Sequence, residues 1–239
     1  MIHYKNTMDL TSNPFAQYVG ENILHSITFF KQHDFGSVSL INLPDVFSLD
    51  SVVTADKITL VSTELLAHNK EDEDDLILAF YDGNDYHFLK FINLIHKRLK
   101  SEASYIMAGL LNGSASNLLH LGVVDIKFLD SNKVIDSVMQ LEFNNPILSV
   151  DSLDIEYTEF NLLFKDIKYI FGSTKLPDLF EQNYQVLSEK FVNYVNTFGA
   201  FSLNLELYFI HAFKNKKSSL VINQNNTMHE LIFKGRKND

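Results

Sequence analysis

Apolar side chains recur at helical spacing in three long stretches of the chain. The first follows Asn13-Pro14, a pair suited to cap a helix and to occupy its first turn. The second covers about residues 86–100, and the third runs from Pro177 to Gly199. Residues three and four apart share one face of a helix, so the pattern predicts three amphipathic helices. Their apolar faces consist of Phe15, Val19, Ile23, Ile27 and Phe30; of Phe88, Phe91, Ile92, Ile95 and Leu99; and of Phe180, Tyr184, Leu187, Phe191, Tyr194 and Phe198.

Two explanations remain open for these apolar faces. Packing into the core of the protein is the ordinary explanation for any amphipathic helix. The face between Phe180 and Phe198 could instead contact a helix of a partner, although about two heptads are too few to define a coiled coil.

Alternating apolar and polar residues predict strands in other parts of the chain. Residues 38–61 contain two short strands around Pro44-Asp45, and residues 201–209 alternate strictly. Residues 123–128 and 134–143 form two extended runs with turn residues between them, which predicts a β-hairpin.

Three shorter elements complete the prediction. Residues 62–68 and 101–111 are expected to form short helices, and residues 76–81 a helix or a strand.

The composition changes around residues 112–122, with helices before and strands after. We therefore expect an α+β fold, in which a helix-rich N-terminal lobe is followed by a strand-rich C-terminal lobe with a β-hairpin and one long helix. The expected division is a flexible N-terminus at 1–12, a helix-rich lobe at 13–117, an α+β lobe at 118–232 and a basic tail at 233–239.

The net charge and the residue types narrow the functional classes. The formal charge of −10 argues against binding to nucleic acid, which depends on Lys and Arg against phosphates. The absence of Cys removes disulfides and thiolate metal sites, so a cytoplasmic location is expected. No run of 18 apolar residues occurs, so direct membrane insertion is not expected. The acidic run from Glu71 to Asp75 is expected to be a solvated loop.

Motifs that carry chemistry are almost missing. The nine His residues are scattered and form no H-E-x-x-H pattern, and neither a P-loop nor G-x-G-x-x-G occurs. The segment at residues 113–117 lacks the last Gly of a nucleophile elbow and is expected to be a turn or a helix cap. The acidic residues Asp154, Glu156 and Glu159 are better explained by the polar side of a strand than by glycoside hydrolysis. We therefore expect no catalytic residues, no metal, no cofactor and no enzymatic activity.

One segment resembles a known family. Residues 88–99 read FLKFINLIHKRL and follow the acidic run. This order resembles the TssG family of type VI secretion system baseplates, as a divergent and short member without the family's glycine-rich turn or its Trp-containing ending. The flanking segments that also resemble the family are Val38–Pro44, Ile58–Val61, Tyr157–Phe164, Leu176-Pro177 and Phe201–Leu207.

The resemblance implies a structural subunit of a bacterial baseplate wedge, a hetero-oligomer with TssF-type, TssK-type and TssE-type proteins. It also implies a structural hydrogen-bonding role for His96 and Arg98. The candidate interface or structural residues are Phe88, Phe91, Ile92, Ile95, His96, Arg98, Leu99, Phe180, Tyr184, Leu187, Phe191 and Tyr194. The alternative is an acidic immunity or inhibitor protein that neutralises a basic toxin by charge complementarity. A hydrolase with scattered catalytic residues is a third possibility.

Overall fold

A computed structural model describes residues 2–5 (backbone only), 13–28, 30, 34–43, 53–62, 73–81, 83, 87–123, 127–172 and 174–215. These residues contain seven strands, six α-helices and one 3-10 helix. The strands are β1 (Ile2–Lys5), β2 (Asp34–Ile41), β3 (Thr54–Val61), β4 (Asp74–Tyr81), β5 (Leu99–Leu110), β6 (Phe143–Tyr157) and β7 (Phe201–Lys214). The helices are α1 (Pro14–Ile27), α2 (Phe88–Arg98), α3 (Ser131–Gln140), α4 (Phe160–Ile170), α5 (Leu176–Gln182) and α6 (Tyr184–Phe198), with a 3-10 helix η1 (Ser116–Leu121).

All seven strands join one sheet in the order β1-β6-β7-β5-β4-β2-β3. Strands β2 to β5 are mutually parallel, whereas β7 is antiparallel to both of its neighbours, β5 and β6. Since β1 is parallel to β6, every strand except β7 points the same way. The chain moves outward from β2 to β3 and then returns past β2 to β4 and β5. The strand order therefore reverses between β2 and β4.

Helices cover both faces of this sheet. The apolar sides of α1, α4, α5 and α6 pack on one face, and those of α2 and α3 pack on the other. Strand β4 shows why the sequence suits this arrangement. Leu76, Leu78 and Phe80 belong to the first core, whereas Ile77, Ala79 and Tyr81 belong to the second. A strand buried on both faces reads as a continuous apolar run, as these residues do.

The predicted α+β fold with two lobes is wrong. A single sheet contains strands from both halves of the chain, and helices lie on both of its faces. The predicted helix at 101–111 is part of strand β5, whose residues from Ala103 to Leu110 are all buried. Burial on both faces removes the alternation by which a strand is usually recognised.

The predicted β-hairpin within residues 123–143 is also wrong. Residues 131–140 form helix α3, whose buried residues Val134 and Val138 are four apart. The carboxylate of Asp130 accepts a hydrogen bond of 2.9 Å from the backbone N–H of Asn132 and caps the helix. The turn chemistry at residues 130–133 is therefore a helix start.

Several predicted elements are confirmed. Helix α1 begins at Pro14, where the side chain of Asn13 accepts hydrogen bonds from the backbone N–H groups of Phe15 and Ala16. The helix expected at 86–100 is α2. The helix led by Pro177 divides at Asn183 into α5 and α6 and ends at Gly199 in a left-handed conformation, with φ +90°. The helix predicted at 62–68 lies almost entirely outside the described residues.

Candidate functional site

The reversal of strand order lies at the carboxyl ends of β2 and β4, where open α/β sheets have a crevice. In open α/β sheets, ligands bind at such a reversal, outside the carboxyl ends of the strands. The described residues that follow the parallel strands at this edge are Asn42 after β2, Ser62 after β3, Gly83 after β4 and Asn112 after β5. We call this the carboxyl edge.

Asn42 directly follows β2, one of the two strands between which the strand order reverses. Its backbone is left-handed, with φ +51°, a conformation that Asn adopts more readily than most other residues. The residue is exposed and lies directly after β2. Sequence reasoning did not single out Asn42. The available signal was an apolar run that stops at Asn42, two residues before Pro44.

Tyr81 ends β4 on the other side of the reversal, and Gly83 follows two residues later. A Cβ atom placed on Gly83 would lie 2.8 Å from the phenol ring of Tyr81, so the backbone at Gly83 lies against that ring. The same ring packs on α2, with centroid distances of 5.1 Å to Phe88 and 5.0 Å to Phe91. The first turn of α2 is therefore held beside the carboxyl edge.

The turn after β5 is fixed to β7 by side-chain hydrogen bonds. The hydroxyl of Ser114 donates to the backbone oxygen of Glu206 and accepts from its N–H, both at 2.9 Å. The amide of Asn204 accepts from the N–H of Asn117 at 3.0 Å and donates to the oxygen of Gly113 at 2.7 Å. The prediction of a turn at residues 113–117 is confirmed. Its bonds to β7 make this turn a rigid border of the carboxyl edge.

Gly113 is required by the conformation of this turn. Its φ is +107°, and a Cβ atom there would lie 2.5–2.6 Å from the carboxyl group of Glu206. A side chain would therefore be strained by the backbone and would collide with Glu206.

A buried carboxyl group connects α1, α4 and β6. Asp166 on α4 accepts hydrogen bonds from the hydroxyl of Tyr157 at 2.6 Å and from the amide of Asn13 at 2.9 Å. The same Asn13 caps α1, so Asp166 orients the side chain with which that helix begins. Burial raises the pKa of the Asp166 carboxyl above its ordinary value, against the opposing effects of Tyr157, Lys165 and Asn13.

This raised pKa predicts a pH dependence of stability. A carboxyl whose pKa is higher in the folded protein contributes stability that is fully present below its unfolded pKa of about 3.9 and is lost as the pH rises through the folded value. Asp166→Asn does not titrate. We therefore compare the free energy of unfolding of the natural protein with that of the variant. The natural protein's value minus the variant's is expected to be smaller at pH 7 than at pH 3. Urea unfolding at both pH values would measure this difference.

Asp75 provides a control of opposite sign. Burial raises the pKa of the Asp75 carboxyl, but hydrogen bonds from Lys100 and Ser37 and the charge of Lys100 outweigh it, so that pKa is lowered overall. Its contribution to stability is lost as the pH falls, and the difference for Asp75→Asn is expected to rise between pH 3 and pH 7. If the stability difference changed in the same direction between pH 3 and pH 7 for both variants, these assignments would be contradicted.

The opposite edge of the sheet, at the amino ends of β4 and β5, contains a buried ion pair. The guanidinium Nε of Arg98 donates to the carboxylate of Asp74, and these residues are only 5% and 2% exposed. A second carboxylate, that of Glu73, lies 3.5 Å from Nη2 of Arg98. The prediction of a solvated acidic loop is therefore wrong for Asp74 and Asp75, which belong to β4. Glu71 and Asp72 lie outside the described residues.

Most of the candidate interface or structural residues lie in the interior. His96 is half-buried, with its ring 4.9 Å from that of Phe143. Tyr194 is half-buried and Tyr184 is exposed. The remaining candidates are buried in the two cores or at the amino edge: Phe88, Phe91, Ile92, Ile95, Arg98, Leu99, Phe180, Leu187 and Phe191. The structure brings none of the twelve to the crevice except Phe88 and Phe91, through Tyr81.

Comparisons with known proteins found similar solved structures. No protein-family model matches the sequence, and no curated protein matches it. The chain is similar in structure to a SAM-dependent methyltransferase from Archaeoglobus fulgidus, with 13% identity, a TM-score of 0.47, and coverage of 83% of this chain and 94% of that one. For a putative methyltransferase from Bacillus halodurans the identity is 8%, the TM-score 0.47 and the coverage 84% and 100%. For phosphoethanolamine N-methyltransferase 2 from Haemonchus contortus the values are 12%, 0.47, 84% and 56%. At these TM-scores the likeness is one of general architecture.

The predicted resemblance to the TssG family is wrong. The chain forms one doubly wound sheet, and the solved structures that it resembles have methyltransferase-like folds. The predicted role in a baseplate wedge is wrong with it, and the alternative of an immunity protein and the expected absence of enzymatic activity are withdrawn. The TssF-type, TssK-type and TssE-type partners were implied by that resemblance alone, so no reason remains to expect them. No helix in the described ranges is long and apolar enough to cross a membrane.

The described residues do not form a glycine-lined cofactor site. In doubly wound folds, a nucleotide cofactor commonly approaches the backbone at a glycine-rich turn after the first strand. Here no glycine occurs between Gly36 and Gly83. The side-chain directions of Gly83 and Gly113 are already occupied by Tyr81 and Glu206. S-adenosylmethionine, named for two of the similar structures, therefore does not fit these residues in that way.

Proposed function

We propose that this protein is an enzyme whose active site is the crevice between the carboxyl ends of β2 and β4. The observation that carries the proposal is the reversal of strand order at that point, where β2 leads outward to β3 and β4 leads the other way to β5. Asn42 directly follows β2 and Tyr81 ends β4, so the two residues lie on either side of the reversal, and the exposed Asn42 is the proposed polar contact for a ligand.

The proposed reaction is the transfer of a methyl group to a small molecule. The strand order supports the position of the site, and the proteins of similar architecture supply S-adenosylmethionine as the first donor to test. Since the described residues offer no glycine-lined approach, the proposed binding contacts come from polar side chains of the carboxyl edge. The proposed place of action is the cytoplasm, which localisation of a fluorescent fusion would check.

Binding to matched glycine variants tests this proposal. Asn42→Gly removes the side-chain amide while keeping a residue that tolerates a φ of +51°. Loss of one hydrogen bond is expected to weaken the binding of S-adenosylmethionine by about ten-fold, as isothermal titration calorimetry would measure. The matched control is Glu102→Gly, since Glu102 is also exposed and left-handed, with φ +66°, but lies near the amino end of β5.

Glu102→Gly is expected to bind as the natural protein does. Equal weakening by both variants would place the ligand elsewhere. A natural protein that shows no binding at millimolar S-adenosylmethionine would overturn the methyl-transfer part of the proposal.

A further inference from the structure

Strand β3 is the last strand of the sheet among the described residues. It pairs with β2 in one register throughout, from the pair Asp34 and Thr54 to the pair Ile41 and Val61. No described strand lies on its other side, so a row of backbone N–H and C=O groups there has no strand partner in that part of the chain. Such an edge accepts a further strand, because each of these groups can form a ladder hydrogen bond.

Two apolar side chains of β3 are exposed beside this edge. Leu60 is 78% exposed and Ile58 is 46% exposed, although their register partners on β2, Leu40 and Val38, are buried. Residues 58 and 60 lie on the same face of the strand, since side chains two apart point the same way. The apolar face that Val38 and Leu40 form therefore continues onto β3, where it is exposed to solvent.

The opposite edge of the sheet is less suited to add a strand. β1 covers residues 153–156 of β6. The part of β6 before them contains Pro146, which has no backbone N–H, and a register irregularity between Asn144 and Ile147. Proline and irregular register both discourage the addition of a strand. β3 contains no proline, and its register with β2 shows no irregularity.

The sequence of β3 is complementary to itself in one antiparallel register. With Asp56 or Lys57 at the centre of the pairing, two like charges would lie directly opposite each other, which is destabilising. With Thr59 at the centre, Ile58 of each copy lies opposite Leu60 of the other. In that register the two Lys57 side chains are displaced by four residues, or about 13 Å along the strands.

We propose that two copies of this chain associate through β3, antiparallel about a two-fold axis, with Thr59 of one copy opposite Thr59 of the other. The two sheets become one continuous sheet, and the exposed Ile58 and Leu60 side chains of both copies cover one another. The contact is small, since β3 has eight residues and stable interfaces have about 20–30 residues a side. The dissociation constant of the dimer is therefore expected to be on the order of tens of micromolar.

Sedimentation equilibrium of the full chain, from about 5 to 500 µM, tests the association. Leu60→Lys is expected to weaken the dimer at least ten-fold, because Leu60 occurs twice in the contact and each lysine would lie opposite Ile58. The matched control is Val150→Lys on β6, since Val150 is 54% exposed and lies on the opposite side of the sheet. That variant is expected to associate as the natural protein does. A natural protein that is monomeric at 500 µM, or equal dissociation constants for the two variants, would overturn the proposal.

An introduced thiol tests the register. The chain has no Cys, so a single substitution gives one reactive site. Thr59→Cys is expected to form a disulfide between two copies under mild oxidation, because directly opposite Cβ atoms in an antiparallel pair are about 4.5–5.5 Å apart. Lys57→Cys, on the same face of the strand and more exposed, is the control and is expected to remain largely monomeric on non-reducing electrophoresis. Cross-linking of Lys57→Cys as complete as that of Thr59→Cys would overturn the register. Neither test uses a ligand, so both are independent of the function proposed above.

Discussion

Replacement of Asp74 by alanine is expected to lower the free energy of unfolding by about 3–5 kcal/mol. The substitution leaves the guanidinium of Arg98 at a position with 5% exposure and without its partner on Nε. The remaining carboxylate, on Glu73, lies at 3.5 Å from Nη2 and cannot replace the direct hydrogen bond. An unpaired buried charge is among the most destabilising changes that a single substitution can make. Urea unfolding followed by circular dichroism measures the loss.

Two further variants separate the charge from the side-chain volume. Asp75→Ala removes the neighbouring carboxylate, whose partner Lys100 is 42% exposed on its side chain, and is expected to cost about 1 kcal/mol. Asp74→Leu combined with Arg98→Met replaces the buried pair by apolar groups and is expected to recover most of the loss. A loss below about 1 kcal/mol for Asp74→Ala would show that Arg98 is not buried as described.

Ile95→Asp is expected to lower the free energy of unfolding by about 5 kcal/mol or more, enough to unfold a protein of ordinary stability. Ile95 is fully buried in the core between α2 and the sheet. The change removes a packed side chain, at about 2–5 kcal/mol, and places a carboxyl among apolar groups. Circular dichroism and the yield of soluble protein would detect the unfolding.

Lys97→Ala, on the exposed side of the same helix, is the matched control and is expected to cost well under about 1 kcal/mol. Similar losses for the two substitutions would contradict the orientation of α2.

The sequence predicted those elements whose apolar residues lie on one face. Helix α2 is an example, since Phe88, Phe91 and Ile95 share one buried side. Strand β7 is another, because Phe201, Leu203 and Leu205 alternate with less buried residues. Strand β5 was predicted to be a helix because its residues are buried on both faces, and a short apolar run does not distinguish the two.

The candidate site could not be predicted in the same way. Its position depends on the order of strands in the sheet. That order places Asn42 and Gly83, which are far apart in the sequence, at the same edge of the sheet, so no local sequence motif marks the site. The resemblance of residues 88–99 to the TssG family rested on a hydrophobic pattern, which the sequence shares with many packed helices. Likewise, the acidic run gave no sign that Asp74 would meet Arg98, 24 positions later.

Amide hydrogen exchange with and without S-adenosylmethionine tests the central claim most directly, because it reports where a ligand binds. The account predicts that the ligand slows exchange at the carboxyl ends of β2 and β4, around residues 41–43 and 80–83, and not at the amino ends, around residues 99–104. Protection confined to the amino ends, or no protection at a ligand concentration that saturates binding, would contradict an active site at the reversal of strand order.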